Sequence, residues 1–130
     1  MNTLRLSLKV LNGLYAICSL QAGESLPSWI LSGGFYSLTR TPDELSIVCL
    51  QDLVPEEVKT LRGWKALKVE GRLDSASVGI LSSLTSSLAR AGITIFAIST
   101  YNTDHLLVKE NELDQAVAAL RKAGHVVGSS

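Results

Sequence analysis

At 130 residues the chain can form one ordinary domain or two small ones packed together, and it is long enough to bury an apolar core. Twelve basic and twelve acidic side chains cancel with no Lys or Arg run, which argues against nucleic acid as the main partner, since phosphate neutralisation dominates such binding. Charged residues make up 18% and hydrophobic ones 46%, so few charges that part of the surface is expected to be covered by a second domain or subunit.

The first half is expected to be irregular. Leu4–Val10 and Tyr15–Leu20 read as strands joined around Asn12-Gly13, a common hairpin turn pair. Leu26–Leu31 suits one or two helical turns, with Pro27 acceptable at the start and Gly33-Gly34 as the stop. Phe35–Thr39 and Glu44–Leu50 read as strands about a Thr41-Pro42-Asp43 turn, and Arg40, Asp43 and Glu44 as salt-linked turn structure. Pro55–Leu61 reads as a short helix. From Tyr15 the order is strand, short helix, strand, strand, short helix, with Leu4–Val10 available as the missing fourth strand.

The second half is more regular. Trp64–Glu70 is a strand with Leu67 and Val69 on one face and Lys68 and Glu70 on the other. After a polar connection, Arg72–Ser77, a helix starts near Ser77 or Val78. Its apolar stripe is Val78, Leu81, Leu84, Leu88 and Ala91, flanked by Ile80 and Thr85, opposite Ser82, Ser83, Ser86 and Ser87. Serines are short and weakly helix-promoting, so that face permits close approach by another surface. Gly92 ends the helix, Ile93–Tyr101 and His105–Lys109 read as strands about an Asn102–Asp104 turn, and Asn111 caps a second helix. Leu113, Ala116, Val117 and Leu120 form its apolar face, Gly124 closes it, and His125–Val127 is a last short strand. The expected fold is α+β, built of tandem ferredoxin-like βαββαβ units at residues 1–62 and 63–130, each an antiparallel sheet with helices on one face.

No apolar stretch reaches the roughly 18 residues that span a bilayer, and Arg5 and Lys9 break the first apolar run where a signal peptide would be continuous. The chain therefore reads as cytoplasmic, with no membrane partner. Cys18 and Cys49 lie in apolar runs and read as buried reduced thiols. His105 and His125 have no nearby Cys or carboxylate set at metal-ligand spacing and read as structural. There is no nucleophile elbow, zinc-protease helix, phosphate loop or paired catalytic carboxylate motif, so no catalytic residue, metal or cofactor is expected.

The chain resembles the ACT-domain family, in particular small tandem-ACT proteins related to amino-acid sensors and to aspartate kinase regulatory domains. GWKALKVEGRLD, VGILSSLTSSLARAGITIFAISTY and TDHLLVKE carry the likeness in the second half, and GGFYSLTRTPDELSIVC carries it in the first. The likeness spans about residues 4–127. ACT modules have an Asp or Asn, then a Gly followed by an aliphatic residue, in the loop from first strand to first helix. Asp74 and Gly79-Ile80 match, although Ser75, Ala76, Ser77 and Val78 make this loop longer than usual. Sensor-like relatives also place an aspartate after the second strand, which matches Asp104. The resemblance implies an amino acid bound beside that loop and the neighbouring strand.

The residues also support that site on their own chemistry. Amides at the start of the helix have no internal acceptor, and the helix dipole favours an anion such as a carboxylate near Val78, Gly79 and Ile80. Asp74 and Asp104 suit an ammonium or guanidinium group. Ser75, Thr100 and Thr103 could add neutral hydrogen bonds, and Tyr101 could pack on methylene groups. The competing structural reading makes Ser77 a helix cap, both aspartates turn formers and Tyr101 a strand-edge residue. The expected function is regulatory binding of an amino acid or related metabolite without catalysis, in a homodimer, with a metabolic enzyme or regulatory protein as a further expected partner. The alternatives are an interaction module that has lost its ligand and a small isomerase- or cyclase-like enzyme.

Overall fold

A computed structural model of the chain describes residues 5–70 and 79–129. Two compact units result: Gly13–Trp64 forms one, and the chain before Gly13 together with that from Lys65 onward forms the other. Strand β1 is Ser7–Val10, β2 Tyr15–Leu20, β3 Ser37–Arg40, β4 Leu45–Leu50 and β5 Lys59–Glu70. Helix α1 (Ile80–Arg90), β6 (Ile95–Ser99), β7 (Asp104–Lys109), α2 (Leu113–Lys122) and β8 (Val126–Ser129) follow.

In the Gly13–Trp64 unit the strand order is β3-β4-β2-β5, with every pair antiparallel. Counted from β2, that is the 2-3-1-4 order of a ferredoxin-like βαββαβ unit. Where helices would stand there are 3-10 turns at Ser28–Ser32 and Gln51–Leu53. Ala16, Cys18, Ile30, Leu45, Ile47, Cys49 and Val54 make its core, with both thiols buried and free.

Pro55–Leu61 is not a helix. Its C-terminal part opens β5, so the fourth strand of this unit is the front half of β5 rather than the chain's first strand. Val58 and Thr60 are β-branched and suit a pleated ladder, and Cys18 and Ser19 of β2 stand opposite Thr60 and Lys59. The register slips between Tyr15 and Ile17, which face Trp64 and Leu61, so β5 carries one extra residue there. Gly63 takes φ +84° in that bulge, and its amide donates to Gln51 Oε1 at 2.7 Å.

The other unit has the strand order β6-β7-β5-β1-β8, using the back half of β5. The same 2-3-1-4 frame is present, but β1 is inserted between its first and last strands. β1 runs antiparallel to β5 and parallel to β8, so this sheet is not purely antiparallel as the sequence reading had it. The expected division at residue 62 differs likewise, because the opening segment pairs here. Leu6 and Leu8 are buried while Arg5 and Ser7 are exposed, and the buried pair joins Leu67, Val69, Leu106, Val108 and Val127 in the core. A strand with one apolar face goes where that face is covered.

Helices α1 and α2 contribute Ile80, Leu84, Leu88, Ala116 and Leu120 to this core. The α1 stripe is rotated from the expected one: Ile80 is buried, Ala91 is exposed, and Val78 lies outside the described residues. Ser82 and Ser86 face outward, but Ser87 is buried, its hydroxyl donating to the Ser83 carbonyl at 3.1 Å. No helix of the described residues is long and apolar enough to cross a membrane.

Candidate functional site

The end of β5, the start of α1 and the turn between β6 and β7 make up the candidate site. Gly79 is exposed at the N-cap of α1, in the left-handed region at φ +86°, and its carbonyl accepts the Ser83 amide at 2.8 Å. The amides of Ile80, Leu81 and Ser82 precede the first intrahelical bond and so lack an acceptor within the helix. Among the described residues, no atom lies within 4 Å of a Cβ built at Gly79. Asp74, Ser75, Ser77 and Val78 lie outside the described residues.

The turn is closed by its own side chains. The Thr100 amide donates to the Thr103 carbonyl at 2.8 Å, and the Thr103 amide donates to Thr100 Oγ1 at 3.1 Å. Thr103 Oγ1 in turn donates to the Val69 carbonyl at 2.6 Å. That bond ties the turn to β5 one residue before the strand ends.

Asp104 is buried, and its Oδ1 accepts the Ser99 hydroxyl at 2.6 Å. The two residues are cross-strand partners in the β6–β7 ladder. Ser99 was not singled out from sequence, although its position directly opposite Asp104 across a four-residue turn is the signal that could have found it. Tyr101 is fully exposed at the turn's tip, with its ring clear of the strand edge. Thr100, Thr103 and Asp104 are therefore all engaged in holding the hairpin. Beside them, burial and the Lys68 ammonium push the His105 imidazole below its usual range, with Asp104 pulling weakly the other way.

The ACT-domain family model matches residues 59–122, and a second model, described as an N-terminal domain, matches residues 13–57. A protein of known crystal structure from Agobacterium tumefaciens is 45% identical, over 98% of this chain and 95% of its own, with a TM-score of 0.93. A Vibrio cholerae protein described as of unknown function and a possible transport protein is 22% identical over 92% of this chain and 90% of its own, with a TM-score of 0.75. The ligand-free regulatory subunit of aspartate kinase from Thermus thermophilus is 9% identical over 85% of this chain and 93% of its own, with a TM-score of 0.60. No curated protein sequence matches. The chain belongs to the ACT-domain family.

Proposed function

We propose that the protein is a regulatory module that binds an amino acid or related small metabolite and performs no catalysis. The Thr103–Val69 bond carries this reading, because it holds the turn at the end of β5, the strand from which the chain leads on to the helix start at Gly79. The α-carboxylate would sit on the amides of Ile80 and Leu81, favoured by the helix dipole. An ammonium group would be taken by Asp74 or by the second oxygen of Asp104. The likeness to an aspartate kinase regulatory subunit supports a regulatory role.

The module would act as a cytoplasmic homodimer that controls a metabolic enzyme or regulatory protein. Strand β6 pairs with β7 alone among the described residues, and no charged side chain lies between Arg90 and Asp104. Natural sheet edges usually carry charge that blocks pairing, and this one lacks it. A monomer mass in light scattering at high micromolar concentration would contradict the dimer.

A second reading, an interaction module without ligand, is favoured by the turn's internal bonding and by the exposed Tyr101 ring. Thermal-shift screening against the twenty amino acids and related metabolites, followed by calorimetry on hits, separates the two. Gly79→Val should abolish a hit by filling the approach to the helix start. An unchanged melting temperature with every compound would leave the interaction module standing, and turnover of a hit would overturn the non-catalytic reading.

A further inference from the structure

A groove of about 400 Å3 lies along α2, lined by that helix and by the β1–β8 strand pair. Val10, Val127, Gly128 and Ser129 come from the strands, and Leu113, Val117 and Ala118 come from the helix, giving a lining in which apolar side chains alternate with polar surface. Asp114 in the first turn of α2 and Arg121 in its last turn complete it. None of these residues belongs to the β5–α1 loop or to the β6–β7 turn.

Seven positions separate Asp114 from Arg121, which at 1.5 Å per residue places them about 10 Å apart along the axis, on one side of the helix. Arg121 Nη2 donates to the Val127 carbonyl at 2.7 Å, which fixes the guanidinium beside β8. A guanidinium has five N–H donors, so the others can take a carboxylate. Asp114 is exposed and has no ion-pair or hydrogen-bond partner among the described residues. Helix dipole compensation accounts for the sign of each charge at its own end. It does not account for a groove of ligand size running between them.

We propose that this groove binds an elongated zwitterion, an ω-amino carboxylate, with its carboxylate on Arg121, its ammonium on Asp114 and its methylenes over Val117 and Val127. An α-amino acid with a neutral side chain carries its ammonium next to its carboxylate and would reach only one pole. The proposal does not rest on the loop site.

Calorimetric titration of the full chain with straight-chain ω-amino carboxylates, from glycine to aminooctanoate, tests it. Binding should peak at an intermediate length, near aminohexanoate, while hexanoate and hexylamine bind much more weakly. Asp114→Asn should weaken the best member about tenfold or more, the loss expected for one charged hydrogen bond. Arg121→Lys should weaken it too, and Gly79→Val should leave it unchanged. Among the described residues Asp114 makes no hydrogen bond or ion pair to a strand, so its variant reads binding rather than the anchoring of β8. Absence of binding, indifference to chain length, or equal affinity for hexanoate would overturn the proposal. Sensitivity to Gly79→Val with indifference to Asp114→Asn would do the same.

Discussion

His125 joins the first described stretch of chain to the last. It is buried, its Nδ1 accepts the Leu6 amide at 3.1 Å, and its Nε2 has no partner among the described residues. An accepting Nδ1 requires the neutral ring with its proton on Nε2. Burial depresses the pKa of both His125 and His105 below 6.5. The unfolded chain therefore takes up protons first as pH falls, so their contribution is intact above about 6.5 and is lost progressively below it. The melting temperature should drop between pH 7 and 5, and His125→Asn, whose Oδ1 can still accept the Leu6 amide, should flatten that slope. An identical slope in the variant would remove His125 from the account. Gly63 permits a cleaner backbone measurement, because an added Cβ there would touch nothing among the described residues within 4 Å. Its φ of +84° alone should cost Gly63→Ala about 1–2 kcal/mol in denaturant unfolding.

Among the elements, the β6–β7 hairpin separates a structural role from a binding one. Asp104→Ala removes the acceptor of the exposed Ser99 hydroxyl, which can turn to water, and should cost about 0.5–1.5 kcal/mol, visible as a lower melting temperature without any ligand. Asp104→Asn keeps an acceptor oxygen and should cost less, so a ligand-affinity loss in Asn with stability retained would report binding itself. The hairpin and both long helices were legible in the sequence because their apolar periods are long and their ends carry Gly92, Gly124 and a polar turn. The start of β5 was not: Pro55 resembles a helix opening, and Val58–Leu61 is too short to show a period of two. What decides it is the ladder to β2, a non-local pairing that no window of sequence contains. The placement of β1 failed for the same reason, since its alternating face would suit either sheet. Of the candidate site, Gly79 and the turn could be found from local chemistry, whereas the Thr103–Val69 bond depends on register.

For the whole molecule, the insertion of β1 makes the C-terminal unit depend on residues far upstream. Leu8 is 2% exposed and faces the α1–α2 core, opposite Val69 and Val127. Leu8→Ala should destabilise that unit by about 2–5 kcal/mol. Amide exchange should then accelerate in β8 and the back half of β5 more than in β3 and β4. Equal acceleration throughout would show the two units unfolding as one.

The same insertion dictates an order of events during synthesis. Arg5–Val10 leaves the ribosome before every strand it will pair with, and its partner β8 appears only after about 115 further residues. The Gly13–Trp64 stretch, whose pairings are all internal, can complete its sheet while that opening segment is still unpaired. Closing β1 onto β5 and β8 then comes last and is limited by chain completion. Folding of the nascent protein should accordingly show an early step that needs only the first 64 residues and a late one that waits for the C-terminus.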